Sequence, residues 1–337
     1  MSSQYRGDPS VSVVIPTYNR AAFLPAAVAS VQTQTYPCDE IVIVDDGSAD
    51  DTRQVVSQLG PGLRYVRQAN AGPAAARNRG IEAAQGDLVA FLDTDDRWLP
   101  QKIERQVELF RREPALALVG ADMAIEDLAA GQRVDSNFAR RGLKAFFDEL
   151  DGQPVPHAPQ RLLKLNFINT STVLARRAVL LQARGFDTRL RYGEDLELWL
   201  RIATRHPVAC VPSVQEIRVE HASNVTKSVE PMLQGYVRMA EVIREWARVP
   251  MAGWGLSADR YVADCLAELG YWYFTQRRWP EARAAFGRSL REQATARALA
   301  YRAALALPGG MIDALRRAKA LAGPGARPAP VDLSKGP

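Results

Sequence analysis

The chain is 337 residues long with 47% hydrophobic and 24% charged side chains, enough for one large α/β domain and a smaller appendage. Its 43 lysines and arginines against 38 aspartates and glutamates leave a net charge of +5; the surplus suits phosphate-bearing partners, but it is scattered rather than clustered among aromatics, which argues against a nucleic-acid module. No window approaches the roughly 18 consecutive apolar residues of a membrane span, and Cys38, Cys210 and Cys265 lie far apart with no leader ahead of them, so the sequence points to reduced thiols in a soluble cytoplasmic protein, at most peripheral to the inner face of a membrane.

In chain order, residues 11–15 form a β-branched run closed by Pro16 and followed by a helical stretch over 21–33. A second strand, 40–44, leads through Asp45-Asp46-Gly47-Ser48 to a helix starting near Asp50. A third, 64–67, leads through a Gly/Pro loop to a helix over 74–84, and a fourth, 88–92, ends in Asp93-Thr94-Asp95-Asp96. Apolar strands alternating with helices predict a mostly parallel sheet, and such sheets bind ligands at the carboxyl ends of their strands.

From about Gly120 the pattern loosens into weak strands over 116–123 and 172–175 and a loop-rich stretch over 138–160. After Ser228 the chain turns helical, over 232–248, 258–276, 280–293 and 296–307, before a Pro/Gly-rich tail expected to be disordered. The expected domains are 10–228, α/β, and 229–322, helical, with the tail at 323–337. Leu269, Gly270, Tyr273, Ala282 and Phe286 fall at the spacing of a tetratricopeptide unit. One such unit cannot bury a solenoid face alone, so a helix pair packing onto the first domain and a protein-docking surface both stay open.

Several clusters carry chemistry. Three carboxylates within Asp93–Asp96 repel one another unless a cation or hydrogen-bond donors hold them. A hard divalent ion bridging them to phosphate oxygens would serve, as would a structural role for Asp95 or Asp96 capping a helix that begins near Trp98. Asp45 or Asp46, at the end of a strand, can accept the N–H of a uracil or thymine ring, while Ser48 and Asp50 fit helix capping better. Arg77 and Asn78 lie in a helix opened by Gly72-Pro73; a solvated arginine is the plain alternative. Glu194 and Asp195 start a helix whose Leu196, Trp199, Leu200 and Ala203 share one face, either as helix-dipole partners or as a general base. His221 follows a strand and is either structural or a third metal ligand.

These segments resemble the family 2 glycosyltransferases, whose GT-A fold is a nucleotide-binding α/β domain. Val-Val-Ile-Pro-Thr-Tyr-Asn-Arg at 13–20, Val-Asp-Asp-Gly-Ser at 44–48, Asn-x-Gly-x-x-x-Ala-Arg-Asn at 70–78, Asp-Thr-Asp-Asp at 93–96 and Glu-Asp at 194–195 occur in the family's order over about 11–228. The resemblance implies that Pro16, Tyr18, Asp46 and Arg77 contact base and ribose with Asp95 near the ribose. It implies metal ligation by Asp96 with Asp93 and His221 beside it, and a catalytic base in Asp195 or its neighbour Glu194.

The implied activity is inverting transfer from a nucleotide-sugar, a UDP-sugar first and a dTDP-sugar second, with Mn²⁺ or Mg²⁺, onto a hydroxyl of a glycan or lipid-linked oligosaccharide met by the looser half of the domain. The Gln-x-x-Arg-Trp motif of processive members is missing, since Gln276-Arg277-Arg278-Trp279 is one residue short, so addition of a single sugar is expected. The rival is an inactive scaffold that keeps the fold and docks a protein partner through its C-terminal helices. A dinucleotide enzyme is disfavoured because no Gly-x-Gly-x-x-Gly follows the first strand.

Overall fold

The computed structural model describes residues 8–221 and 228–307. They form two compact units, one up to His221 and one from Ser228. The expected tail at 323–337 and the stretch 222–227 lie outside the described residues.

The first unit opens with β1 (Val11–Thr17), α1 (Leu24–Gln32), β2 (Glu40–Asp45), α2 (Thr52–Gln58), β3 (Leu63–Arg67), α3 (Pro73–Ala83) and β4 (Leu88–Phe91). Val11, Val13, Val14 and Ile15 of β1 are all fully buried, as a central strand covered on both faces requires. β1 lies between β2 and β4, with β3 outside β2, all parallel; Thr17 faces Asp45, Asp45 faces Arg67 and Val14 faces Phe91. Parallel strands deliver the loops that follow them to one edge. Tyr18, Asp46, the turn at 68–72 and the acidic run at 93–96 therefore emerge side by side. Gly80 lets α3 lie close on β1, because a Cβ there would stand 2.2 Å from Val14 Cγ1.

The unit continues with β5 (Arg97–Trp98), α4 (Lys102–Arg112), β6 (Leu118–Asp127), β7 (Gln132–Val134), α5 (Asn137–Arg140), α6 (Lys144–Leu150), α7 (Ala158–Lys164), β8 (Leu174–Arg176), α8 (Arg177–Gln182), α9 (Glu194–Ala203) and β9 (Val208–Glu220). The order across the sheet is β3-β2-β1-β4-β8-β6-β9-β5, with β7 on β6. The first four strands are parallel as expected. β8 then runs antiparallel to both β4 and β6, β5 runs antiparallel to β9, and β6 and β9 are parallel. The α/β sheet is thus mixed in its second half.

Two local expectations change. Residues 138–160, read as loop, contain most of α5, all of α6 and the start of α7. These helices are too short to show a period, and left-handed Gly142 and Gly152 interrupt them. The helix expected near Trp98 is instead a short strand, with Arg97 opposite Ile217 and Trp98 opposite Glu216; α4 begins only at Lys102.

The second unit is α10 (Val229–Gly253), α11 (Ala258–Thr275), α12 (Trp279–Glu292) and α13 (Ala296–Ala304). Ser257 and Thr295 cap α11 and α13 through their side chains. Val262, Leu266, Leu269, Ala282 and Phe286 share its core, and the Phe286 ring closes over Gly270. Among the described residues no helix is long and apolar enough to cross a membrane.

Candidate active site

Asp45 and Asp46 end β2 with different duties. Asp45 is buried; its Oδ1 accepts the Ser48 N–H at 2.7 Å and its Oδ2 the Tyr65 hydroxyl at 2.5 Å. Asp46 accepts from Gln68 Nε2 at 2.8 Å, Ala71 N at 2.9 Å and Gly72 N at 2.8 Å. Three of the roughly four lone-pair positions of its carboxylate are thereby filled, so Asp46 pins the turn that opens α3 and retains one position. Pro16 accepts from Thr94 Oγ1 through its carbonyl. Tyr18 is 48% exposed, leaving its ring open at the same edge. Ser48 Oγ takes the Asn19 N–H and Asp50 Oδ1 the Thr52 N–H, both local structural roles.

The carboxylates of the acidic run point three ways. Asp93 Oδ1 meets Arg77 Nη2 at 2.7 Å. Asp96 is buried, its Oδ2 accepting from Ser171 Oγ at 2.7 Å and its Oδ1 from Val219 N at 3.2 Å. Asp95 Oδ2 lies 3.0 Å from His221 Nε2, whose ring stacks on Phe23 with centroids 4.8 Å apart. The pairing of β5 with β9 causes this, because Arg97 opposite Ile217 carries the preceding aspartates toward Val219 and His221.

The structure therefore does not gather Asp93, Asp96 and His221 around one point. Arg77 draws Asp93 away and the interior takes Asp96; among the described residues, no three His, Cys, Asp or Glu side chains form a metal-holding group. The pair that meets is Asp95 with His221. One carboxylate oxygen and one imidazole nitrogen are donors that would suit Mn²⁺ or Mg²⁺. Behind it, burial and then the charges of Asp93 and Asp95 push the Asp96 carboxyl up to about 7. Burial, then Asp96, holds the Glu216 carboxyl well above the usual range.

Arg77, 5% exposed, is the centre of the arrangement. Its Nη1 reaches Glu194 Oε1 at 2.9 Å, and its guanidinium lies 5.5 Å from the centroid of the Phe186 ring. Burial opposes its charge, but Asp93 and Glu194 outweigh burial and raise its pKa above the ordinary value. The expectation that Arg77 touches base or ribose meets an arginine whose two terminal nitrogens are taken by carboxylates. It ties the loop after β4 to α9.

Glu194 and Asp195 open α9 behind left-handed Gly193. Burial pushes Glu194 up to about 7 against the pull of Arg77. Asp195 is held by neutral donors, its Oδ1 by Leu196 N at 2.7 Å and its Oδ2 by Asn166 Nδ2 at 3.2 Å. Burial raises its carboxyl, and the Leu196 N–H, Arg77 and Asn166 partly offset this. Glu194 is committed to a cation, whereas Asp195 is a half-buried carboxylate of raised proton affinity, the property a general base needs.

Sequence reasoning missed the supports. Ser171 Oγ accepts the Asp93 N–H at 3.0 Å while donating to Asp96, and the Ser171 carbonyl takes the Trp98 indole N–H at 2.7 Å. Asn78 exchanges two hydrogen bonds with the backbone of Phe186, at 2.8 and 2.7 Å. That closeness requires Gly185, whose φ is +64° and where a Cβ would fall 2.2 Å from Asn78 Oδ1. The polar run Asn169-Thr170-Ser171-Thr172 between apolar stretches was the available signal for Ser171.

Residues 12–169 match the family described as glycosyl transferase family 2. A Bacillus subtilis protein, TuaG, named as a teichuronic acid biosynthesis glycosyltransferase, is 33% identical over 204 residues, 58% of this chain and 72% of TuaG. An uncharacterised Mycobacterium tuberculosis protein is 32% identical over 229 residues, 66% of this chain and 70% of that one. A Rickettsia felis glycosyltransferase is 32% identical over 227 residues, 66% of this chain but 35% of the Rickettsia protein, so the chain spans about a third of that relative's length. The crystal structure of S. aureus TarS 1–349 in complex with UDP-GlcNAc has a TM-score of 0.65 at 19% identity, covering 93% of this chain and 92% of that one, a likeness of fold.

Proposed function

Because the chain belongs to glycosyl transferase family 2, we propose that it moves one sugar from a nucleoside-diphospho-sugar, a UDP-sugar first, to a hydroxyl of a glycan or lipid-linked acceptor with inversion at the anomeric carbon. The observation that carries this reading is Arg77, which binds the acidic loop after β4 on one side and Glu194 on the other. A donor edge and a base are thereby held within one arginine's reach.

In this reading Tyr18 offers its open ring to the base, and Asp46 offers its remaining acceptor position to a ring N–H. Asp195 takes the proton of the acceptor hydroxyl. The acceptor oxygen bonds to the anomeric carbon as the bond from that carbon to the diphosphate oxygen breaks, and the electron pair leaves with the nucleoside diphosphate. Asp95 and His221 would hold Mn²⁺ or Mg²⁺, which would supply positive charge for that diphosphate. The UDP complex of the TarS neighbour supports a uridine donor for this fold. The lack of a Gln-x-x-Arg-Trp motif favours addition of a single sugar.

The test is calorimetric titration with UDP, dTDP and GDP, each with and without Mn²⁺. Metal-dependent binding of UDP together with release of UDP from a UDP-sugar supports the reading. Absence of binding by all three nucleotides would leave the scaffold alternative in its place.

A further inference from the structure

Asn166 lies between α7 and the 3₁₀ turn at Thr170–Thr172, outside every motif of the sequence, yet it holds the carboxylate to which the reading above gives the proton. Its Nδ2 donates to Asp195 Oδ2 at 3.2 Å. A side-chain amide can face either way, and only one orientation presents a donor to a carboxylate. Here the orientation is fixed, because Asn166 Oδ1 accepts the Ile168 N–H at 3.1 Å and the amide must then turn its nitrogen to Asp195. The backbone is fixed as well, since Arg141 Nη1 donates to the Asn166 carbonyl at 2.6 Å. A few residues on, Asn169 Oδ1 takes the Ser171 N–H, and Ser171 grips the acidic loop.

We propose that Asn166 is the positioning residue for Asp195: with Leu196 N on Oδ1 and Asn166 Nδ2 on Oδ2, it fixes the carboxylate's rotamer and favours its ionised form. The inference rests on Asp195 being the base. The charged group acting on Asp195 is Arg77 from α3, and on its own helix Asp195 in turn raises the neighbouring Glu194. On α7, which packs against α9, Arg161 donates to the Pro156 carbonyl and lies over Phe146, and Lys164 is exposed. Asn166 thus supplies the one neutral side-chain donor to this carboxylate from outside α9 among the contacts of the described residues.

The experiment uses the full chain. The Asp195 carboxyl is titrated by NMR in protein labelled with ¹³C at aspartate, with Asp195→Asn assigning the signal, and UDP release from UDP-N-acetylglucosamine and UDP-glucose is followed in parallel. Losing one donor to a carboxylate should raise the Asp195 midpoint by about one pH unit in Asn166→Ala. UDP release at neutral pH should fall at least about tenfold while UDP affinity stays within about twofold of wild type. Asn166→Asp keeps the acceptor for Ile168 N–H and the size of the side chain, and puts a second carboxyl against Asp195, so its midpoint should rise further. A midpoint unmoved in both variants would overturn the proposal. Full UDP release by Asp195→Asn would instead overturn the base assignment, and the shifted midpoint in Asn166→Ala would still stand as the separate result.

Discussion

Arg77 Nη1 lies 2.9 Å from Glu194 Oε1, across 117 positions of sequence, and the same guanidinium holds Asp93 at 2.7 Å. The arginine and Glu194 are both mostly buried, so removing one partner strands the other away from water. Breaking such a pair costs roughly 3–5 kcal/mol. Arg77→Met should therefore lower stability by that order in urea unfolding, and Arg77→Lys should recover only part because an ammonium cannot reach both carboxylates as a fork. A double-mutant cycle of Arg77→Met with Glu194→Gln should show coupling of at least about 1 kcal/mol; additivity would mean that the ion pair has no energetic part in joining the two loops.

Glu194 and Asp195 are adjacent carboxylates in different surroundings, and their substitutions should separate cleanly. Asp195→Asn keeps the shape and the Leu196 N–H contact but cannot take a proton, so UDP release from a UDP-sugar should fall by about 10²–10⁴-fold with UDP affinity nearly unchanged. Glu194→Gln should cost less turnover and more stability, because its duty is to Arg77. Equal losses of turnover in the two variants would contradict the division of labour.

The pH dependence follows from the same carboxyls. Asp195 must be unprotonated to act as a base, and burial raises its proton affinity above the ordinary aspartate value of 3.8. Turnover should thus fall as pH falls, with an acid limb above the usual aspartate range. For stability the sign runs the other way. Glu194, near 4.5 when exposed and pushed by burial to about 7 when folded, retains in the native state a proton that the unfolded chain has released. Stability should decline as pH rises from about 4.5 to 7 and level off above, and Glu194→Gln should flatten that slope in denaturation measured across the window.

Gly185 is required twice over, by a φ of +64° and by Asn78 Oδ1, which would lie 2.2 Å from an added Cβ. Gly185→Ala should cost roughly 1–3 kcal/mol through backbone strain and the displaced Asn78–Phe186 hydrogen bonds. Phe186 packs under Arg77, so urea unfolding and UDP release should worsen together. An unchanged unfolding midpoint would show that the turn accommodates a side chain without strain.

The first four strands were legible because each is a continuous apolar run ending in a polar turn, and a parallel sheet leaves no other place for those turns than one shared edge. Asp46, Arg77, Asp93 and Glu194 were visible as unusual residues for that reason. What each one holds was not. Arg77 was expected at base or ribose, with a solvated arginine as the alternative, because its partners lie 16 and 117 positions away. Asn166 and Ser171 stand in short irregular segments with no period, and their roles depend on β8 entering antiparallel beside β4, which no local pattern announces. The helices of 138–160 were lost for a similar reason, each being only a turn or two long.

The proposed metal pair is the point at which geometry and motif lead to different substitutions. The motif directs attention to Asp96, but both its oxygens already have partners in Ser171 Oγ and Val219 N, and it lies inside the protein. Asp95 and His221 face each other at 3.0 Å, with the imidazole stacked on Phe23. Asp95→Asn and His221→Ala should each weaken Mn²⁺-dependent UDP binding at least about tenfold in calorimetry, with little effect on folding. Asp96→Asn should act mainly on stability, by about 1–3 kcal/mol, because an amide there cannot accept from Ser171 and Val219 as the carboxylate does. In the opposite ranking, with Asp96→Asn abolishing the metal dependence and Asp95→Asn retaining it, the buried aspartate would have to turn outward on binding, away from Ser171.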